Sequence, residues 1–122
     1  MPRVIHFEIA AEDPERIQAF YADALGWEIN NWDGPVDYWL ATTGQQDEPG
    51  IDGAIMHARP DWQRVVNTVD VANLDATIAR VEAIGGKLVQ QRMAVPGVGY
   101  MAYCQDPEGV VFGLMQADEN AA

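Results

Sequence analysis

The stretch VIHFEIAAEDPERIQAFYADALGW (Val4–Trp27) decides the first half of the fold. Over Val4–Ile9 the residue types alternate, which is typical of a strand with two different faces. Asp13 then supplies a helix N-cap, and Pro14 suits the first helical position. Apolar residues recur at helical spacing up to Gly26, which ends the helix. The stretch therefore predicts a strand, a capped helix and a glycine stop, in that order.

The same order returns about 60 residues later, so the chain consists of two copies of one unit. The first copy continues with three predicted strands, which are Trp27–Ile29, Tyr38–Ala41 and Asp52–Met56. The second copy has a helix capped by Asn73 and four predicted strands, which are Val65–Val71, Lys87–Gln90, Tyr100–Cys104 and Val110–Met115. We therefore predict a single α+β domain over residues 1–122, with module one at 4–57, module two at 64–116 and a flexible tail at 117–122.

The composition indicates which classes of partner and which cellular compartment suit the protein. The chain has 48 % hydrophobic residues and a net charge of −12, which is typical of an acidic globular protein. Such a charge disfavours nucleic acid and anionic membrane surfaces as partners. We expect no secretory leader in residues 1–10, because charged side chains interrupt the apolar pattern, and the single cysteine, Cys104, cannot form an internal disulfide. We therefore expect a cytoplasmic protein. The absence of serine excludes a serine triad.

The sheet faces away from the two helices mix polar and apolar residues, which predicts a ligand cleft between the modules. The residues predicted to line it are His6, Glu8, Ala54, Met56, Val66, Thr68, Gly113 and Met115. Two aromatic residues, Trp39 and Tyr100, are added as candidates, although the sequence does not fix which way they face. An acidic cleft with aromatic side chains suits a cationic or aromatic organic ligand. Alternatively, Glu8 is a structural carboxylate paired with Arg3 or Arg64.

Several motifs within this repeat resemble the vicinal oxygen chelate superfamily, over about residues 4–116. They are His6-Phe7-Glu8-Ile9, Asp13-Pro14-Glu15-Arg16, Phe20-Tyr21, Leu25-Gly26-Trp27 and Asp106-Pro107-Glu108-Gly109. The superfamily includes glyoxalase I, extradiol dioxygenases, fosfomycin-resistance enzymes and bleomycin-resistance proteins. The resemblance implies two βαβββ modules in a U-shaped, partly open barrel, and a homodimer. Whether the modules pair within one chain or across two stays open.

Metal-dependent members of this superfamily hold a divalent ion with side chains from the first and last strand of each module. The corresponding positions here are His6, Ala54, Val66 and Gly113, of which only His6 carries a donor atom. Because a selective site needs three or more protein ligands, we expect no metal and no cofactor. A shifted site formed by His6, Glu8 and Asp52 stays an alternative.

Three functions follow from these observations. The first is a protein that binds a small organic molecule without a metal, by analogy with the bleomycin-resistance proteins. The second is a glyoxalase-like lyase or isomerase with His6 and Glu8 as catalytic candidates, with or without a divalent metal. These two side chains start ~6–7 Å apart on one strand, so a hydrogen-bonded dyad needs bent side chains or a water between them. The third is a protein-interaction module with a vestigial cleft.

Overall fold

The structure is a computed structural model that describes residues 2–122. The chain divides into two compact units, His6–Val66 and Asn67–Ala122, the second of which includes the N-terminal residues up to Ile5. Each unit has its own helix and its own four-stranded part of the sheet. Among the described residues, no helix is long and apolar enough to cross a membrane. A mixed sheet, with parallel and antiparallel strand pairs, together with two helices confirms the predicted α+β class.

The first βαβββ sequence consists of β1 (Val4–Ala11), α1 (Pro14–Leu25), β2 (Glu28–Asn31), β3 (Tyr38–Thr42) and β4 (Gly53–His57). Its strands lie in the order β2-β3-β4-β1. The outer pairs β2–β3 and β3–β4 are antiparallel, whereas β1 and β4 run parallel. The sheet is therefore mixed, and its first and last strands are neighbours.

The second βαβββ sequence repeats this pattern with β5 (Val65–Asp70), α2 (Leu74–Ala83), β6 (Lys87–Val95), β7 (Gly99–Gln105) and β8 (Val111–Ala117). The strand order is β5-β8-β7-β6, again with a parallel pair between the first and last strands. The pairs β6–β7 and β7–β8 are antiparallel. The matching order confirms the two-copy pattern that the sequence predicts.

Both helices begin and end where the sequence signals lie. The side chain of Asp13 accepts a hydrogen bond from the backbone N–H of Arg16 at 3.2 Å, and Pro14 follows at the first helical position. Gly26 has a φ of 73°, a left-handed conformation that glycine adopts without a steric cost. In α2, Asn73 Oδ1 accepts from the N–H of Ala76 at 3.0 Å. Local capping chemistry thus sets both helix starts.

Each helix packs on one face of its own sheet. In the first unit, the ring of Trp27 lies 5.7 Å from that of Phe7 on β1 and stacks at 4.9 Å on Tyr21 of α1. In the second unit, the core consists of buried apolar residues from α2, the sheet and the β5–α2 connection, which are Val71, Leu74, Ile78, Ala102, Cys104 and Leu114. The opposite face of each sheet is left without a helix of its own unit.

Two segments differ from the predicted boundaries. Strand β6 runs from Lys87 to Val95, well beyond the predicted end at Gln90, with register irregularities along its pairing with β7. The residues after β8 make backbone hydrogen bonds with the β6–β7 turn, from Asp118 N–H to Val98 O and from Gly97 N–H to Ala121 O. Ala121 is buried, so the expected flexible tail packs against this turn.

Candidate functional site

The strand register of the first unit places the residues of the candidate site on one face. Glu8 lies opposite Ala54, and Tyr38 lies opposite Met56. Cross-strand partners point to the same side of a sheet, and residues two apart on one strand do as well. His6, Glu8, Ala54, Met56 and Tyr38 therefore share the face that points away from α1.

A tyrosine hydroxyl joins the two catalytic candidates. Tyr38 donates its hydroxyl hydrogen to Glu8 Oε2 at 2.6 Å, and His6 Nε2 lies 2.7 Å from the same oxygen. Because the phenol has only one hydrogen, its oxygen accepts a hydrogen bond from His6. This arrangement assigns the hydrogen of neutral His6 to Nε2 and leaves the lone pair on Nδ1. A tyrosine hydroxyl, which the sequence did not predict here, thus takes the place of the expected bridging water between His6 and Glu8.

Burial controls the protonation of this chain of groups. Glu8 is only 1 % exposed, and His6 is partly buried. Burial lowers the pKa of His6 below its usual 6.5, and the nearby carboxylates of Glu8 and Asp52 offset this effect only in part. His6 is therefore neutral at pH 7, and its Nδ1 can accept a hydrogen bond or a proton.

The two aromatic residues that the sequence nominated lie on the other faces of their sheets. Trp39 pairs with Ile55, and its ring contacts that of His57 at 5.4 Å, so it lies on the opposite side of the sheet from Glu8. Tyr100 packs against the core beneath α2, and the guanidinium of Arg92 lies 4.2 Å above its ring. Tyr38, which precedes Trp39 on β3, points to the Glu8 side of the sheet instead. Tyr103, three residues after Tyr100 on β7, lies on the side of its sheet away from α2.

The second unit brings together its own predicted residues. Thr68 lies opposite Gly113, and Asp70 lies opposite Met115, so these side chains share the face away from α2. Tyr103 on β7, the other neighbour of β8, pairs with Gly113 and is buried. Val66, the last residue of the first unit, lies two residues before Thr68 on the same strand and is fully buried. This face thus carries the hydroxyls of Thr68 and Tyr103 and the carboxylate of Asp70 beside Gly113 and Met115.

The donor atoms do not fit a divalent metal site of the superfamily type. Within residues 2–122, no group of three or more His, Cys, Asp or Glu side chains is arranged to hold an ion. In the shifted alternative, Asp52 is exposed, and its Oδ1 accepts from the backbone N–H of Thr43 at 2.9 Å. Glu8 and His6 are both engaged by Tyr38. The donor atoms of this face are thus committed to bonds within the protein and do not converge on a common point where an ion could bind.

Comparison with curated proteins identifies two relatives, both named "Putative glyoxylase CFP32", from Mycobacterium bovis and Mycobacterium tuberculosis. Each is 27 % identical to this chain over 111 residues, which is 89 % of this chain and 42 % of the relative. The chain thus spans less than half the length of these curated relatives. The match includes both repeated modules but leaves more than half of each relative without a counterpart.

Solved structures share the fold at lower identity. Methylmalonyl-CoA epimerase from Mycobacterium tuberculosis superposes with a TM-score of 0.69 at 17 % identity, covering 94 % of this chain and 87 % of that one. A glyoxalase/bleomycin resistance protein/dioxygenase superfamily member from Vibrio splendidus gives a TM-score of 0.67 at 21 % identity, covering 97 % and 100 %. The resemblance predicted from the motifs is confirmed, because the family model described as "Glyoxalase-like domain" matches residues 6–115 and the chain belongs to that family.

Proposed function

We propose that this protein binds a small organic molecule on the His6–Tyr38–Glu8 face of its first unit, without a metal ion of the superfamily type. The observation that carries the proposal is the Tyr38 hydroxyl held between His6 Nε2 and Glu8 Oε2 at 2.7 and 2.6 Å. A partly buried polar chain of this kind fixes side-chain orientation. Convergent polar groups on an otherwise apolar face are typical of ligand sites.

The charges favour a cationic or aromatic ligand. The Glu8 carboxylate and the neutral His6 ring supply acceptors and no positive charge, in a chain with a net charge of −12. The ring of Trp32 packs edge-on against Tyr38 at 5.7 Å and adds aromatic surface beside these acceptors. A planar cation would gain from both the acceptors and the aromatic rings.

Benzamidine and its neutral analogue benzamide are matched probes for this proposal. In the presence of EDTA, we expect benzamidine to raise the unfolding temperature more than benzamide does. Tyr38→Phe and Glu8→Gln should each remove most of the difference, whereas Tyr21→Phe, on the α1 side, should keep it. The proposal fails if the two probes act alike on the wild type, or if stabilisation requires an added divalent metal.

The hydrogen-bonded chain also favours a second candidate, acid–base catalysis on a small carbonyl compound by an isomerase or lyase. The Nδ1 lone pair of His6 can accept a proton from a carbon next to a carbonyl group. The resulting imidazolium would keep its Nε2–H bond to Tyr38, and the Glu8 carboxylate would stabilise the positive charge through that hydroxyl. The names of the relatives, glyoxylase and methylmalonyl-CoA epimerase, agree with chemistry on carbonyl compounds.

Deuterium exchange tests the second candidate separately. Dihydroxyacetone in D₂O should exchange its carbon-bound hydrogens faster with the wild type than with His6→Gln, as followed by proton NMR. His57→Gln removes the other histidine, which is exposed, and serves as the control. Equal exchange with wild type and His6→Gln would exclude His6 as the base. Exchange that vanishes with EDTA would make the activity metal-dependent.

We also propose that the protein is a homodimer in the cytoplasm. Apolar side chains at the start of β1 support a partner surface, because Val4 and Ile5 are 42 % and 43 % exposed. The free, buried thiol of Cys104 suits a reducing compartment. Light scattering after gel filtration tests the assembly, and a monomeric mass at micromolar concentration would contradict it. Fractionation of cells tests the compartment.

A further inference from the structure

The Thr68 side chain carries a hydroxyl that the folded chain leaves without a partner. Thr68 is 3 % exposed, and its Oγ1 is buried with no hydrogen-bond partner among the described residues. A buried hydroxyl of this kind costs about 1–3 kcal/mol relative to a partnered one. Valine has nearly the same shape and would avoid the cost. The hydroxyl therefore indicates a partner from outside the chain.

Gly113 leaves the place beside this hydroxyl without a side chain. The two residues are cross-strand partners on β5 and β8. A Cβ atom added at Gly113 would lie 2.7 Å from Thr68 Oγ1, closer than such atoms normally approach. Tyr103 flanks Gly113 on β7, and Met115 lies two residues along β8 on the same face. The hydroxyl thus lies directly against the Gly113 backbone, in the space that a side chain at this position would occupy.

We propose that Thr68 and Gly113 form a subsite for the carbonyl oxygen of a neutral organic compound, which accepts a hydrogen bond from Thr68 Oγ1. A hydroxyl hydrogen needs an acceptor, and a carbonyl oxygen with apolar substituents suits the flanking Tyr103 and Met115. An anionic acceptor is disfavoured because Asp70 follows on the same face and the net charge is −12. This subsite uses the second unit's own strands, so its test is independent of the His6 face.

Cyclohexanone and methylenecyclohexane are probes of nearly identical shape, of which only the ketone accepts a strong hydrogen bond. Methionine ¹³C-methyl NMR can follow the binding of both through the signal of Met115, assigned with Met115→Leu. We expect the wild type to bind cyclohexanone about fivefold more tightly than methylenecyclohexane, the ratio that one neutral hydrogen bond supplies. Thr68→Val should bring this ratio to about one, and Thr68→Ser should retain a preference for the ketone.

Stability of the variants gives a second readout without any ligand. Because valine replaces the unpartnered hydroxyl with a methyl group, Thr68→Val should unfold at a higher temperature than the wild type. A lower unfolding temperature for a variant that still folds would mean that the hydroxyl already has a partner, and the proposal would be wrong. It would also be wrong if the wild type binds the two probes equally, or if Thr68→Val keeps the preference for the ketone. A fixed water on Oγ1 that cyclohexanone does not displace would overturn it too.

Discussion

Replacing Tyr38 with phenylalanine removes one oxygen atom and two hydrogen bonds from the candidate site. The ring contacts with His6 and Trp32, at 6.3 and 5.7 Å between centroids, are retained. The lost bond to the Glu8 carboxylate contributes about 1.5–3 kcal/mol, and the lost bond from His6 about 0.5–1.5 kcal/mol. We therefore expect Tyr38→Phe to lower the free energy of unfolding by about 2–4 kcal/mol, a large part of the stability of a small domain.

Urea unfolding at pH 7.5, followed by tryptophan fluorescence, measures this loss. Tyr21→Phe is the matched control, because Tyr21 lies on the α1 side of the sheet and stacks on Trp27, away from His6 and Glu8. The control should change the free energy of unfolding by less than about 0.5 kcal/mol. If Tyr38→Phe costs no more than Tyr21→Phe, the hydrogen-bonded chain does not stabilise the fold.

A double-mutant cycle with Glu8→Gln assigns the loss to the right pair of atoms. If the Tyr38 hydroxyl and the Glu8 carboxylate interact as their 2.6 Å separation indicates, the two single losses will not add. The coupling free energy should be about 1–2 kcal/mol, within the range found for hydrogen-bonded neighbours. Additive losses would refute the interaction even if both single variants were destabilised.

Three further predictions concern the protonation of the site and the packing around it. By NMR, the His6 ring should titrate below pH 6.5, and a titration midpoint above 6.5 would contradict the burial argument. The free energy of unfolding should rise with pH between this lowered pKa and 6.5, and the full gain should be present above 6.5. His6→Gln should remove this pH dependence. Asp13→Ala should cost about 1 kcal/mol by removing the α1 cap, as urea unfolding would detect. Gly53→Ala should cost about 1–3 kcal/mol in the same assay, because its Cβ would lie 2.5 Å from the ring of Phe7; a neutral effect would exclude this close approach.

The sequence predicted best those elements that are determined by residues close together in the chain. Asp13 and Asn73 cap their helices, and the repeated order of elements appears in both halves of the chain. The alternation along β1 also placed His6 and Glu8 on one face correctly. In each case the residues that decide the structure are close together in the chain.

The aromatic residues of the site could not be placed in this way. Tyr38, Trp39 and Leu40 are all large and mainly apolar, so β3 has no alternation from which to assign its faces. The assignment comes from pairing with β4, where Tyr38 lies opposite Met56. Since Met56 was already expected on the His6 face, an antiparallel register for β3 and β4 would have identified Tyr38. Register is a tertiary property, and a single sequence encodes it weakly.

Ala54 stands at a position that corresponds to a metal ligand in metal-dependent superfamily members, and it lies beside Glu8, to which Tyr38 donates. Strand β4 lies between β3 and β1, so the Tyr38 side chain must cross β4 to reach Glu8. On this face β4 presents Ala54 beside Glu8 and Met56 beside Tyr38. A longer, metal-binding side chain at position 54 would project into the space that the tyrosine crosses. A chelating side chain there would therefore compete for this space with the hydroxyl bridge to Glu8, whereas the short side chain of alanine leaves room for the bridge.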